Sequence, residues 1–211
     1  MYLSDRDIKW AIETGKLIID PRPERIDSTS VDLRLDDIDE AKIWDTAGYL
    51  AQQGVSGMSR PELRIGQYRL ASFSSRFLIR PPEYLPNSDQ LVGRRGHEIV
   101  VKPFGFLLWQ TLEKVGTPSD NPDLICFVDG KSTRARAGIV VHLTAPTIHT
   151  SWMGKITLEI FNAGPFDIVL AAGDVIAQIV VAKVTSPPAL GVKGSSETYN
   201  QDAVGGTSCG K

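Results

Sequence analysis

The chain has 211 residues, 42% of them hydrophobic and 23% charged, enough for one generous domain and too apolar for wholesale disorder. Its 23 basic and 25 acidic side chains leave a net charge of -2, without the basic excess of a protein that lives on nucleic acid or an anionic membrane. Two distant cysteines (Cys126, Cys209) and three scattered histidines (His97, His142, His149) argue against a disulfide scaffold and a cysteine- or histidine-built zinc site.

In chain order, Ser4 with Asp7 three residues on reads as a capping box. Ile8, Ala11, Ile12 and Leu17 then recur at roughly helical spacing, and Gly15 offers a stop, which predicts a helix over 5–14. Pro21 and Pro23 force extended geometry on the stretch after Ile18. Residues 30–35 (SVDLRL) alternate polar and apolar at period two, a strand pattern. Residues 41–53 are compatible with a helix, and 54–61 have loop composition. Beyond them β-type runs follow at 68–72, 77–79, 98–102, 106–111, 124–128, 139–144, 155–161, 167–170 and 175–184. So many short strands favour a mainly β barrel or jelly-roll over alternating βαβ units. The Gly-, Ser- and Thr-rich stretch 195–211 has the composition of a flexible tail. The charged N-terminus is unlike a signal peptide and no run of 18 apolar residues occurs, so a cytoplasmic protein with no membrane span is expected. No Walker A and no strand–G-x-G-x-x-G–helix unit is present.

Three constellations carry chemistry. Asp129 to Gly138 (DGKSTRARAG) packs Lys131, Arg134 and Arg136 with Ser132 and Thr133 between two glycines. Glycine lets backbone approach, hydroxyls donate and Arg grips phosphate bidentately, so the stretch suits a polyanion; a solvated cationic loop fits the same spacing. In 155–161 (KITLEIF), Ile156, Leu158 and Ile160 share one face and Thr157, Glu159 and Phe161 the other. Glu159, mid-strand among apolar neighbours, suits a proton shuttle, or else faces solvent. His142, His149 and Trp152 fall near one connection, where a His–Glu pair and a purely structural role both remain open.

The stretch 130–138, followed by His142, Ala145, Trp152, Gly154 and 156–162 (ITLEIFN), resembles the dCTP deaminases of the dUTPase-like superfamily. That family carries a G-[KR]-S-S-x-x-R-x-G loop and a W-x-G-x-I-x-L-E strand. The opening LSDRDI, the 30–35 strand and 173–178 (GDVIAQ) are similar to further family signatures. The resemblance implies a distorted β-barrel or jelly-roll with a short N-terminal helix, one domain over 1–186 and a possible lid in the tail 187–211. It implies a homotrimer with active sites between subunits, Glu159 as catalytic base, and Ser132 and Arg136 fixing the water and the developing charge. Nucleotide-binding positions would be Lys131, Ser132, Thr133, Arg134, Ala135, Arg136, Ala145, His149, Trp152, Thr157, Leu158, Glu159, Gln178 and Gln201. Mg2+ is expected on the substrate phosphates; the H-x-E and P-C-x-x-C ligands of zinc deaminases are missing from the sequence. The expected reaction converts dCTP to dUTP and ammonia, with dTTP a candidate inhibitor.

The sequence departs from the family pattern in places. His149 stands where many members carry Asp, Arg134 where an apolar residue is usual, and Tyr199-Asn200-Gln201 resembles a shortened lid. Residues 36–97 show little of the pattern and read as divergent or inserted. Alternative activities are a bifunctional deaminase–diphosphatase releasing dUMP and pyrophosphate, and a deoxynucleotide-binding protein without turnover.

Overall fold

The computed structural model describes residues 1–54, 60–67, 69–120 and 122–188. Helix α1 (Asp5–Glu13) begins at the expected cap: Ser4 Oγ donates to Asp7 Oδ2 at 3.0 Å, and the Ser4 amide reaches the same oxygen at 3.4 Å. Its Ile8 and Ala11 form the buried stripe. β1 (Ile18–Asp20) and β2 (Ser30–Arg34) follow as the prolines and the alternation require. The middle of the chain holds β3 (Ile43–Trp44), α2 (Thr46–Gln52), α3 (Leu70–Phe77) and β4 (Leu78–Ile79). After it come β5 (Val92–Arg95), β6 (Glu98–Val101), β7 (Phe106–Gly116), β8 (Leu124–Gly130) and the single turn α4 (Ser132–Ala135). The chain continues through β9 (Ile139–Val140), β10 (Thr147–Ile148), β11 (Met153–Asn162), β12 (Ile168–Ala171) and β13 (Val175–Lys183).

The protein is mainly β, with four sheets among the described residues. Two have four strands, in the orders β1-β7-β11-β9 and β10-β8-β13-β2; β12-β6-β5 and β3-β4 complete the set, and no sheet closes on itself. All named strand pairs are antiparallel. The two larger sheets share one core: Leu33, Trp109, Val128, Leu158 and Ile179 all belong to the same buried cluster. Trp109 is fully buried and satisfies its ring N–H on the Asp37 carbonyl at 3.0 Å. No described helix is long and apolar enough to cross a membrane.

Several sequence expectations change. Of the strand expected at 68–72, Tyr68 lies outside the described residues and the rest is not a strand: Leu70 opens α3, and Leu70, Phe73 and Phe77 recur at i, i+3 and i+7 on one helix face. Residues 41–53 are helical only from Thr46, where the Asp45 carboxylate caps the Gly48 amide at 2.8 Å; Ile43 and Trp44 pair instead with β4. The strand expected at 139–144 stops at Val140, because the chain turns away to place Leu143 over β11. Strands β5 and β10 were not anticipated, and β7 extends five residues past its expected end at Thr111.

Candidate active site

Strand β11 follows its alternation closely: Ile156, Leu158 and Ile160 are buried, while Thr157, Glu159 and Phe161 are half-buried on the opposite face. Glu159 is held from two directions. Its amide donates to the Val141 carbonyl at 3.2 Å, and its Oε2 accepts the Leu143 N–H at 3.0 Å. A carboxylate accepting a backbone N–H is fixed in orientation and keeps its second oxygen for other work.

The two edges of β11 differ. Toward β7 the strand pairs from Met153 to Phe161, with an irregularity between Lys155 and Thr157. Toward β9 only Phe161 and Asn162 pair. Gln110, opposite Thr157, gives its carbonyl to the Asp36 amide at 3.1 Å, on the side away from β11. By strand alternation the Thr157 N–H and C=O then point to the β9 side, upstream of where β9 pairs. The backbone groups of Leu158 turn the other way, into the β7 ladder, and its side chain is 1% exposed.

The cationic stretch forms a turn launched by β8 and closed by β9. Its cations differ in state. Lys131 Nζ pairs with Asp32 on β2 and lies 3.7 Å from Asp27 Oδ2, so two acids offset its charge. Arg134 is exposed, and among the described residues its side chain reaches only the Val175 carbonyl, at 3.4 Å. Ser132, Thr133, Ala135 and Arg136 are exposed; the Arg136 amide donates to the Ser132 carbonyl at 3.2 Å, and its guanidinium makes no hydrogen bond or ion pair among the described residues. Ala135 and Ala137 stay in the turn through amide bonds to the Lys131 and Arg134 carbonyls, both 2.9 Å.

Gly138 docks this turn onto the end of β11. Its φ is +95°, its carbonyl accepts the Ala163 N–H at 2.8 Å, and a Cβ there would lie 2.3 Å from Gly164 Cα. Only glycine permits so close a crossing of two backbones. Buried Asn162 locks the same corner, donating to the Val101 and Phe166 carbonyls and accepting the Gly164 amide. The turn and Glu159 thus share one β frame. No bond joins Ser132 or Arg136 to Glu159 among the described residues.

The remaining expected positions scatter around this frame. Trp152 packs against the core, and a Cβ on Gly154 would come within 2.9 Å of its ring, which explains the W-x-G spacing by packing. His149 is exposed just after β10, and Ala145 is exposed in the loop before it. Gln178 on β13 accepts from Ser30 Oγ at 3.1 Å and reaches the Gly130 carbonyl at 3.5 Å, bracing the entry to the turn. His142 is half-buried, with Nδ1 buried and lacking a partner among the described residues. Gln201 and the rest of the stretch from 189 onward lie outside the described residues. Sequence reasoning missed the acids that tie down Lys131. The 30–35 alternation did carry a signal, since it sets Asp32 on the same face as Ser30 and Arg34. No cluster of three His, Cys, Asp or Glu placed to hold a metal occurs among the described residues.

A family model described as dCTP deaminase-like matches residues 2–184. Among solved structures, the chain is similar to the 2′-deoxycytidine 5′-triphosphate deaminase of Agrobacterium tumefaciens, at 19% identity and a TM-score of 0.52. That likeness is one of fold; it covers 85% of this chain and 47% of that one, so this chain spans about half the length of the deaminase. Shorter likenesses extend to the native dUTPase of EIAV (21% identity, TM-score 0.37, 51% of this chain and 87% of that one). A dUTPase of Staphylococcus bacteriophage 80alpha with dUpNHpp is similar at 15% identity and TM-score 0.35, over 44% of this chain and 78% of that one.

Proposed function

The chain belongs to the dCTP deaminase-like family, and on that premise we propose that it removes the C4 amine of dCTP by hydrolysis, giving dUTP and ammonia. The observation that carries this reading is the setting of Glu159: half-buried on the open face of β11, one oxygen held by the Leu143 amide, in the frame that also fixes the cationic turn. A water attacking C4 of the cytosine ring gives up a proton to the other oxygen of Glu159. The carboxyl group passes that proton to N3, then takes the second water proton from the new C4 hydroxyl and delivers it to the departing amine as the C4=O bond forms, so that one water enters and one ammonia leaves. Ser132 and Arg136 position the water and stabilise the charge that develops on the ring. The outward N–H and C=O of Thr157 offer one donor and one acceptor to the pyrimidine edge.

In this reading the turn divides its labour. Lys131, engaged by Asp27 and Asp32, anchors the turn to β2, while Thr133 and Arg134 face the triphosphate. Mg2+ arrives on the phosphates as part of the substrate. Two four-stranded sheets around one core fit a jelly-roll, and exposed Ser132 and Arg136, unbonded to Glu159 in their own chain, fit a homotrimer whose turns each serve a neighbour's β11. Sedimentation at three times 23.1 kDa is the expected result; a monomer that turns over dCTP overturns the shared site.

The decisive assay incubates the purified chain with dCTP and Mg2+ and resolves dUTP, dUMP, pyrophosphate and ammonia. Equimolar dUTP and ammonia are expected, with Glu159→Gln lowering the rate ~10³-fold. Near-normal ammonia release from Glu159→Gln removes the carboxylate from the mechanism. Pyrophosphate with dUMP marks a bifunctional enzyme, and tight dCTP binding with no product marks a binding protein. Inhibition by dTTP is read in the same assay.

A further inference from the structure

The segment between β2 and β5 holds a group of rings and cations that the deamination chemistry does not use. Helices α2 and α3 meet through aromatic contacts, Tyr49 to Phe73 at 5.5 Å and Tyr49 to Phe77 at 5.3 Å between ring centroids, and within α3 Phe73 and Phe77 lie 4.9 Å apart. The Tyr49 hydroxyl donates to the Glu62 carbonyl at 2.9 Å and thereby ties the 60–67 stretch beside α2. Between these parts opens a cavity of about 750 Å³, within the range of small-molecule sites. Tyr49, Phe73 and Phe77 line it together with Arg60, Arg64, Arg69 and Arg76, and Glu62 is the one acid among the described lining residues.

The state of Arg60, Arg64 and Arg76 separates them from other arginines nearby. Arg80 and Arg94 both pair with Asp39, at 3.4 and 2.9 Å. The guanidiniums of Arg60, Arg64 and Arg76 make no hydrogen bond or ion pair among the described residues. Three guanidiniums around one cavity repel each other until an anion enters, and their planar forks match phosphate oxygens. The half-buried rings beside them offer apolar area to a flat heterocycle. No residue of the cavity belongs to the 131–138 turn or to β11.

We propose that this cavity is a second binding site, distinct from the Glu159 site, for a phosphorylated planar heterocycle of the nucleotide class, its phosphates on Arg60, Arg64 and Arg76 and its ring against Tyr49, Phe73 and Phe77. The assignment does not depend on the deaminase reading, so its test uses a nucleotide without a cytosine ring. Isothermal titration of the full chain with ATP is expected to give saturable binding that Arg64→Ala/Arg76→Ala weakens at least ~10-fold. Arg136→Ala, in the other site, and Arg80→Ala, which removes a guanidinium outside the cavity, leave it unaltered. Inorganic triphosphate binds more weakly than ATP. Unchanged ATP affinity in the double variant, or its loss in Arg136→Ala, overturns the assignment; triphosphate binding as tightly as ATP overturns the role of the rings. The single variant Arg64→Ala, at an exposed position outside any helix, repeats the test if the double variant loses its native melting transition.

Discussion

The cationic turn at 131–138 and the arginine-lined cavity at 60–77 hold their charges by different means. The turn is bolted to β-structure on both sides: Lys131 to β2 through two acids, Gly138 to the end of β11 through a backbone crossing. The backbone that carries Arg136 is therefore fixed at both ends of the turn. The cavity rests on rings packed between two helices of seven and eight residues, and its guanidiniums sit on long side chains over that base. Positioned charge suits a reaction, where a displacement of about 1 Å is damaging. Charge on flexible stems over a ring cluster suits capture, where geometry is more forgiving.

The sharpest way to break the contrast is to exchange the functions of the two arginine groups. Arg136→Ala is expected to lower deamination ~10²- to 10³-fold, whereas Arg64→Ala leaves ammonia release from dCTP unchanged. If Arg64→Ala suppresses turnover and Arg136→Ala does not, the assignment of framed and unframed charge is reversed. Next in size, Gly138→Ala strains a positive φ and drives a Cβ into the Gly164 backbone; urea unfolding should show a loss of about 2–3 kcal/mol. A neutral result would mean that the crossing does not hold the turn.

A third test reads how dry the frame is. Cys126 lies within β8, the strand that launches the turn, and burial pushes its thiol up from 9.0 to about 12. The folded state keeps that proton longer than the unfolded chain, so this stabilisation is complete below the ordinary thiol range and disappears as pH rises toward 12. Relative to Cys126→Ala, wild-type stability should fall by about 1.4 kcal/mol per pH unit above pH ~9. Parallel curves for the two proteins would mean that the strand is wetted. Smallest is Asp32→Asn, which leaves Lys131 only Asp27; chemical unfolding should register under about 1 kcal/mol, because the pair is partly exposed.

The frame was far more legible in the sequence than the cavity. Ile156, Leu158 and Ile160 announce β11 because period-two alternation is a local property, and Ser4 with Asp7 announces α1 for the same reason. The 68–72 run misled because its residues are compatible with a strand, while the helical spacing of Leu70, Phe73 and Phe77 emerges only over a longer window. Strand β10 has two residues and exists through its pairing with Phe127 and Cys126, which no local pattern records. The same limit applies to the site. Glu159 and the turn follow from nearby residues. The neutralisation of Lys131 depends on Asp32, 99 positions away, and the grouping of Arg60, Arg64 and Arg76 over Tyr49 depends on how two short helices pack.

The one-sided edge of β11 has a consequence for how the chain behaves in storage and on heating. An open strand edge is a template for another strand, and a row of unpaired backbone groups invites intermolecular sheet growth. Anything that occupies the edge, whether a pyrimidine ring or a neighbouring subunit, should also delay aggregation, so light scattering during a thermal ramp would report occupancy without any assay of chemistry.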